Sequence, residues 1–148
     1  MSADPAFMRA ALALAQEQAG KTGDNPAVGC VVVKDGVIIG QGATGDGGRP
    51  HAEEIALSIA GAHAHEADVY VTLEPCAQRS TGGRSCTVLL LEAGVARVVI
   101  GCADPHPLAN GRGMEVLRAA GVSVALGLLE GEARAVNSAF IEKWGKPS

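Results

Sequence analysis

Aromatic side chains are scarce in this sequence: one Trp, one Tyr and two Phe, 3% of 148 residues. Without them there is no platform on which unpaired bases can stack. Positive charge is not in excess either. Lys and Arg number 12 against 16 Asp and Glu, a formal net charge of −4, so no nucleic-acid partner is expected. Long apolar runs are missing too. Stretches such as Val88–Leu91 fall far short of the ~20 residues that span a bilayer, and no membrane partner is expected. Asp4 interrupts an N-terminus that is not basic and does not read as a signal sequence, so the expected compartment is the cytoplasm. Hydrophobic residues, by contrast, make up 47%. That content supports a core and excludes intrinsic disorder. The length is that of one domain, and a single domain over residues 1–148 is expected.

There are four cysteines, Cys30, Cys76, Cys86 and Cys102. A core of this size needs no disulfide staples, and a cytosolic thiol pool stays reduced. Metal binding or buried free thiols are therefore the better readings.

Asp4-Pro5 reads as an N-cap with Pro at the first helical position. Phe7, Ala11, Leu14 and Gln18 then recur at helical spacing up to Gly20. The β-branched run Val28–Val33 is a buried strand. Lys34-Asp35-Gly36 is a hairpin turn, and Val37–Ala43 returns. Gly45–Pro50 leads into a helix with Ala52, Ile55, Ala56, Ile59 and Ala60 on one face. Strands follow at Val69–Leu73, Val95–Cys102 and Val122–Leu126. Between them lie helices over Cys86–Ala93, closed by Gly94, and over Met114–Ala120. A final helix places Leu129, Ala133, Val136, Phe140 and Trp144 on one stripe. A hairpin followed by alternating strands and helices predicts an α/β fold: a single sheet with parallel crossovers and helices on both faces.

Three segments carry chemistry: His51-Ala52-Glu53, Pro75-Cys76 and Cys86. One imidazole and two thiolates give zinc three protein ligands and leave the fourth position open, the pattern of a catalytic site. His51 and Glu53 lie about 200° apart around a helix and can converge only in its first turn. Cys86 opens a helix with Ser85 as its N-cap. Two helix N-termini would then face the metal and favour thiolate. The order His-x-Glu, Pro-Cys, Cys is that of the zinc deaminases, in which the Glu moves protons and is not a ligand. Cys30 and Cys102 lie inside apolar strands and read as small buried hydrophobes.

The stretches Asn25–Gly36, His51–Glu53, Tyr70–Cys76, Ala93–Val99, Asp104-Pro105 and Gly111–Gly113 together resemble the deaminase half of the riboflavin-biosynthesis deaminase–reductases. These form a branch of the cytidine-deaminase-like superfamily. The resemblance implies a three-layer α/β/α cytidine-deaminase-like fold with a five-stranded mixed sheet, and zinc on His51, Cys76 and Cys86. It implies Glu53 as proton shuttle and a small aminated heterocycle as substrate, foremost the diaminohydroxyphosphoribosylaminopyrimidine of riboflavin biosynthesis. Substrate contacts carried over are Asn25, Thr44, Ala52, Arg84, Asp104 and His106; Asn25 reads equally as a turn residue before Pro26. A homo-oligomer, dimer or larger, is also implied.

The sequence departs from the family pattern in its outer half. Ile55 and Thr44 stand where the family has His, and His106 where it has Asn. The inter-cysteine loop Ala77–Ser85 lacks the usual Thr-Pro-Pro. No reductase stretch follows, so no nicotinamide cofactor is expected. Arg49, Arg79 and Arg84 are the remaining candidates for a phosphate. Two alternatives stay open: a deaminase of a free base or nucleoside, guanine-, cytosine- or pterin-like, and a silent zinc module partnering a separate reductase.

Overall fold

The Asp4 carboxylate accepts a hydrogen bond from the Ala6 N–H at 2.9 Å and starts α1, Pro5–Gln18. The computed structural model describes residues 3–77, 85–105 and 110–145, the last three by backbone alone. After α1 come β1 (Gly29–Lys34), β2 (Val37–Ala43), α2 (Ala52–Ala60), β3 (Asp68–Leu73), α3 (Cys86–Ala93) and β4 (Arg97–Cys102). They are followed by α4 (Arg112–Ala119), β5 (Ser123–Leu126), α5 (Glu130–Val136) and α6 (Ser138–Gly145). Asp35 and Gly36 both take positive φ at the hairpin, 52° and 78°, the geometry that matches strand twist.

The strands form one mixed sheet in the order β2-β1-β3-β4-β5. β1 is antiparallel to both neighbours, while β3, β4 and β5 run parallel. Thus β2 and β3 point the same way on either side of β1, and α2 crosses β1 to join them. β1 is buried along nearly its whole length, because it is covered on both faces, and so it reads as a continuous apolar run rather than an alternating one. Helices α1 and α5 cover one face. On the other, α2 packs on β1 and β2 and against α3, which meets α4. The close approach depends on missing side chains. A Cβ at Gly29 would run into the Ala11 carbonyl of α1, and one at Gly40 into the Ala56 carbonyl of α2.

One expectation fails. The single final helix is broken at Asn137, whose φ of −120° leaves the helical range. Its carboxamide is drawn away to the backbone of Ala27, accepting from the N–H at 2.8 Å and donating to the carbonyl at 2.7 Å. The apolar stripe continues across the break through Ala133, Val136 and Phe140, which is why the periodicity alone reads as one helix; the Trp144 side chain lies outside the described residues. Among the described residues no helix is long and apolar enough to cross a membrane.

Candidate metal centre

The sheet brings the chemistry-bearing residues to one end, outside the carboxyl ends of β2, β3 and β4, where open α/β sheets bind ligands. β2 runs out through Thr44 into the loop that ends at His51. That residue is the N-cap of α2, and its N–H donates to the Glu54 carboxylate at 3.0 Å. Glu53 occupies the first turn of α2. Cys76 lies three residues past β3. Cys86 is the first residue of α3, whose N-cap Ser85 accepts from the Val88 N–H at 3.1 Å.

These positions converge. His51 Nδ1 lies 3.2 Å from Cys86 Sγ and 3.9 Å from Cys76 Sγ, and all three donor atoms lie within 4.8 Å of one another. Zinc bonds of ~2.0–2.3 Å in a tetrahedral shell put ligand atoms roughly 3.5–3.8 Å apart, so the donor set fits zinc in both chemistry and spacing. The Cys86 N–H donates to Cys76 Sγ at 3.2 Å. That is an N–H of a helix N-terminus, outside the helix's own bonding ladder, turned on a sulfur. Hydrogen bonds from Cys86, opposed by burial and aided by His51, bring the Cys76 thiol down to about 4.

Glu53 is 4% exposed. Burial and the nearby Cys76 push its carboxyl up to about 7, against hydrogen bonds from its own backbone and from Cys86 and the attraction of His51. Behind it, burial and then the Glu53 charge raise the Cys30 thiol well above its ordinary value. Burial also takes Cys102 up to about 11. All four cysteines are free and Cys30 and Cys102 are buried, as their apolar strands predict.

The expected substrate contacts are more scattered. Asn25 is exposed and its carboxamide donates to the Gly48 carbonyl at 3.4 Å, which lays it over the loop before His51. Thr44 is buried, and its hydroxyl is taken up by the Val28 backbone, accepting from the N–H at 3.0 Å. Ala52 is buried in the first turn of α2. Asp104 is half-buried at the end of β4, and Arg49 is exposed. Arg79, Arg84 and His106 lie outside the described residues.

Two residues were not singled out from sequence. Glu74, buried between β3 and Cys76, receives backbone N–H groups from the Asp104–Met114 stretch. Its signal is a carboxylate directly after an apolar strand. Asn137 holds the loop that bears Asn25, and it left only a weak helix former inside a helical pattern.

Residues 1–102 match the family model described as the cytidine and deoxycytidylate deaminase zinc-binding region. The riboflavin biosynthesis protein RibD of Aquifex aeolicus is 47% identical over 139 residues, which is 93% of this chain and 38% of that protein. The RibD structure from Acinetobacter baumannii superposes with a TM-score of 0.92 at 41% identity, over 96% of this chain and 40% of that one. A Thermotoga maritima structure is described as a diaminohydroxyphosphoribosylaminopyrimidine deaminase/5-amino-6-(5-phosphoribosylamino)uracil reductase. It superposes with a TM-score of 0.88 at 40% identity, over 95% of this chain and 40% of that one. The chain thus spans about two-fifths of the length of these relatives.

Proposed function

The chain belongs to the cytidine and deoxycytidylate deaminase zinc-binding family, and from that premise we propose that it is a zinc-dependent hydrolytic deaminase of the riboflavin pathway. Its substrate in this reading is the phosphoribosylated diaminopyrimidine named for the Thermotoga relative. The observation that carries the reading is the Glu53 carboxyl, buried beside the His51, Cys76 and Cys86 donors. A purely structural zinc site has no use for such a group.

His51, Cys76 and Cys86 hold the metal, and the N-termini of α2 and α3 favour the thiolate forms. Zinc bound there supplies a Lewis acid that makes water nucleophilic near neutral pH. Glu53 takes a proton from the attacking water. It delivers that proton to the ring nitrogen, then takes the second proton from the hydroxyl added to the ring carbon and passes it to the departing amine as the C–N bond breaks. Water and a ring C–NH2 thereby become a ring carbonyl and ammonia. A dry pocket suits this role, because a carboxyl held near neutrality both accepts and returns a proton. The reading includes a homo-oligomeric enzyme of the cytoplasm.

Ammonia release tests it with three substrates: the diaminopyrimidine ribosyl phosphate, its dephosphorylated form, and free aminated bases. The expected result is turnover of the first, with kcat/KM at least about a hundredfold lower once phosphate is removed, ~2.7 kcal/mol of transition-state binding. An unchanged kcat/KM assigns the site to an unphosphorylated base. No ammonia from any of them overturns the enzyme.

A further inference from the structure

Of the three metal donors, Cys76 alone is not placed by a helix start. His51 caps α2 and Cys86 opens α3, whereas Cys76 lies three residues past β3, outside helix and strand. The first turn of α3 takes hold of it from ten and eleven positions on. The Cys86 N–H donates to its Sγ at 3.2 Å. Thr87 donates twice to its backbone carbonyl, through the N–H at 3.1 Å and through the hydroxyl at 2.8 Å.

The two kinds of bond carry different information. The N–H groups of Cys86 and Thr87 belong to the first turn of a helix, where the helix itself supplies no acceptor. Any residue there except proline would offer them. The hydroxyl is particular to Thr87, which is 1% exposed. A Cβ at Gly113 would run into the Pro75 carbonyl and approach Thr87 Oγ1 at 3.3 Å, so only a glycine packs there. A hydroxyl so enclosed is costly without a partner, and its single proton goes to Cys76. The Cys76 carbonyl thereby meets two donors, one for each lone pair. Thr87 is not itself among the donors His51, Cys76 and Cys86; it bonds the backbone of one of them.

We propose that Thr87 is a positioning residue for the metal centre: its paired bonds fasten the Cys76 backbone to the start of α3 and so hold the Cys76 sulfur beside Cys86 and His51, independently of the ion. The proposal rests on the zinc reading of the site and not on the choice of substrate. In a tetrahedral shell a sulfur must stand ~2.3 Å from the ion. A donor on a segment without helix or strand would otherwise have to be ordered at the moment of binding, and that ordering would be subtracted from the affinity. Partners that orient metal ligands in this way are typically worth ~10–100-fold in metal affinity.

The test uses Thr87→Val in the full chain. Val keeps the branched shape and the N–H and removes only the hydroxyl. Zinc competition against a chelating dye of known affinity is expected to show a Kd weakened about tenfold or more. Thr87→Ser, which restores the hydroxyl, is expected within about threefold of wild type. An unchanged Kd in Thr87→Val overturns the proposal even where Tm falls, because the hydroxyl is then a stabilising contact and nothing more. A Kd weakened equally in Thr87→Ser overturns it too, since the loss then follows the packing of the methyl group and not the bond. If Thr87→Val does not fold, amide exchange in the metal-free wild type decides. A Thr87 N–H at least about tenfold slower than an open amide supports the fastening, and exchange at the open rate overturns it. If the wild type itself takes up no zinc, the zinc reading fails and the proposal falls with it. Zinc uptake without ammonia release overturns the deaminase alone, and the Kd series still decides the role of Thr87.

Discussion

Glu53 and Glu74 are both buried at the same end of the sheet, and their surroundings are opposite. Around Glu53 burial wins, and the carboxyl is pushed up to about 7. Around Glu74 four N–H groups from one loop and one helix end point at the carboxylate. The difference separates two uses of a buried acid. A group that must gain and lose a proton is kept in a site where the charge is poorly stabilised. A group that must hold a backbone in place is surrounded by donors that leave it no freedom.

The comparison breaks most completely if the metal is removed. Cys76→Ala leaves two protein ligands, so zinc should fall from about one per chain to near none, and turnover to background. Metal analysis and the ammonia assay check this together; full retention of zinc would sink the assignment.

Next in size is Glu53→Gln. Gln fills the same space without a titrating proton, so turnover should fall about 10²–10⁴-fold while zinc content is unchanged. In the metal-free protein, where burial pushes the Glu53 carboxyl up to about 7, Tm should hold or rise. The same change at Glu74 strands two buried donors and should lower stability by roughly 1–3 kcal/mol. Opposite signs in paired thermal melts would sharpen the distinction; equal losses would erase it.

The last variant is Asn137→Ala. It deletes two hydrogen bonds to Ala27, at 2.8 and 2.7 Å, and should cost roughly 1–3 kcal/mol, about 2–10 °C in Tm. Zinc content should not change, because no donor residue is touched. Zinc loss in this variant would mean that the Asn25 loop and the metal centre are not independent.

Much of this arrangement was legible from the residues. The grouping of His51, Cys76 and Cys86, the first-turn place of Glu53, and the caps Asp4, Ser85 and Gly94 were all readable, because each depends on a local rule: ligand chemistry, a helix's first turn, or a left-handed residue at a helix end. The strand Val37–Ala43 and the helix Cys86–Ala93 match their expected bounds. What could not be read depends on partners far away in sequence. Glu74 looks like any acid after a strand until Asp104 and Gly111 arrive beside it, 30 and 37 positions on. Asn137 sits in a stripe whose apolar spacing is unbroken, and the pull that breaks the helix comes from Ala27. Thr44 was expected at the substrate by likeness, whereas its hydroxyl is occupied by the backbone of Val28.

The pairing of Asn137 with Ala27 also sets an order of events during synthesis. The two residues are 110 positions apart, so the segment bearing Asn25 cannot settle until Asn137 has left the ribosome. His51, Cys76 and Cys86 emerge well before that. Since chains fold from the N-terminus as they are made, and contacts this distant form late, His51, Cys76 and Cys86 can come together before the loop that bears Asn25 is tied down.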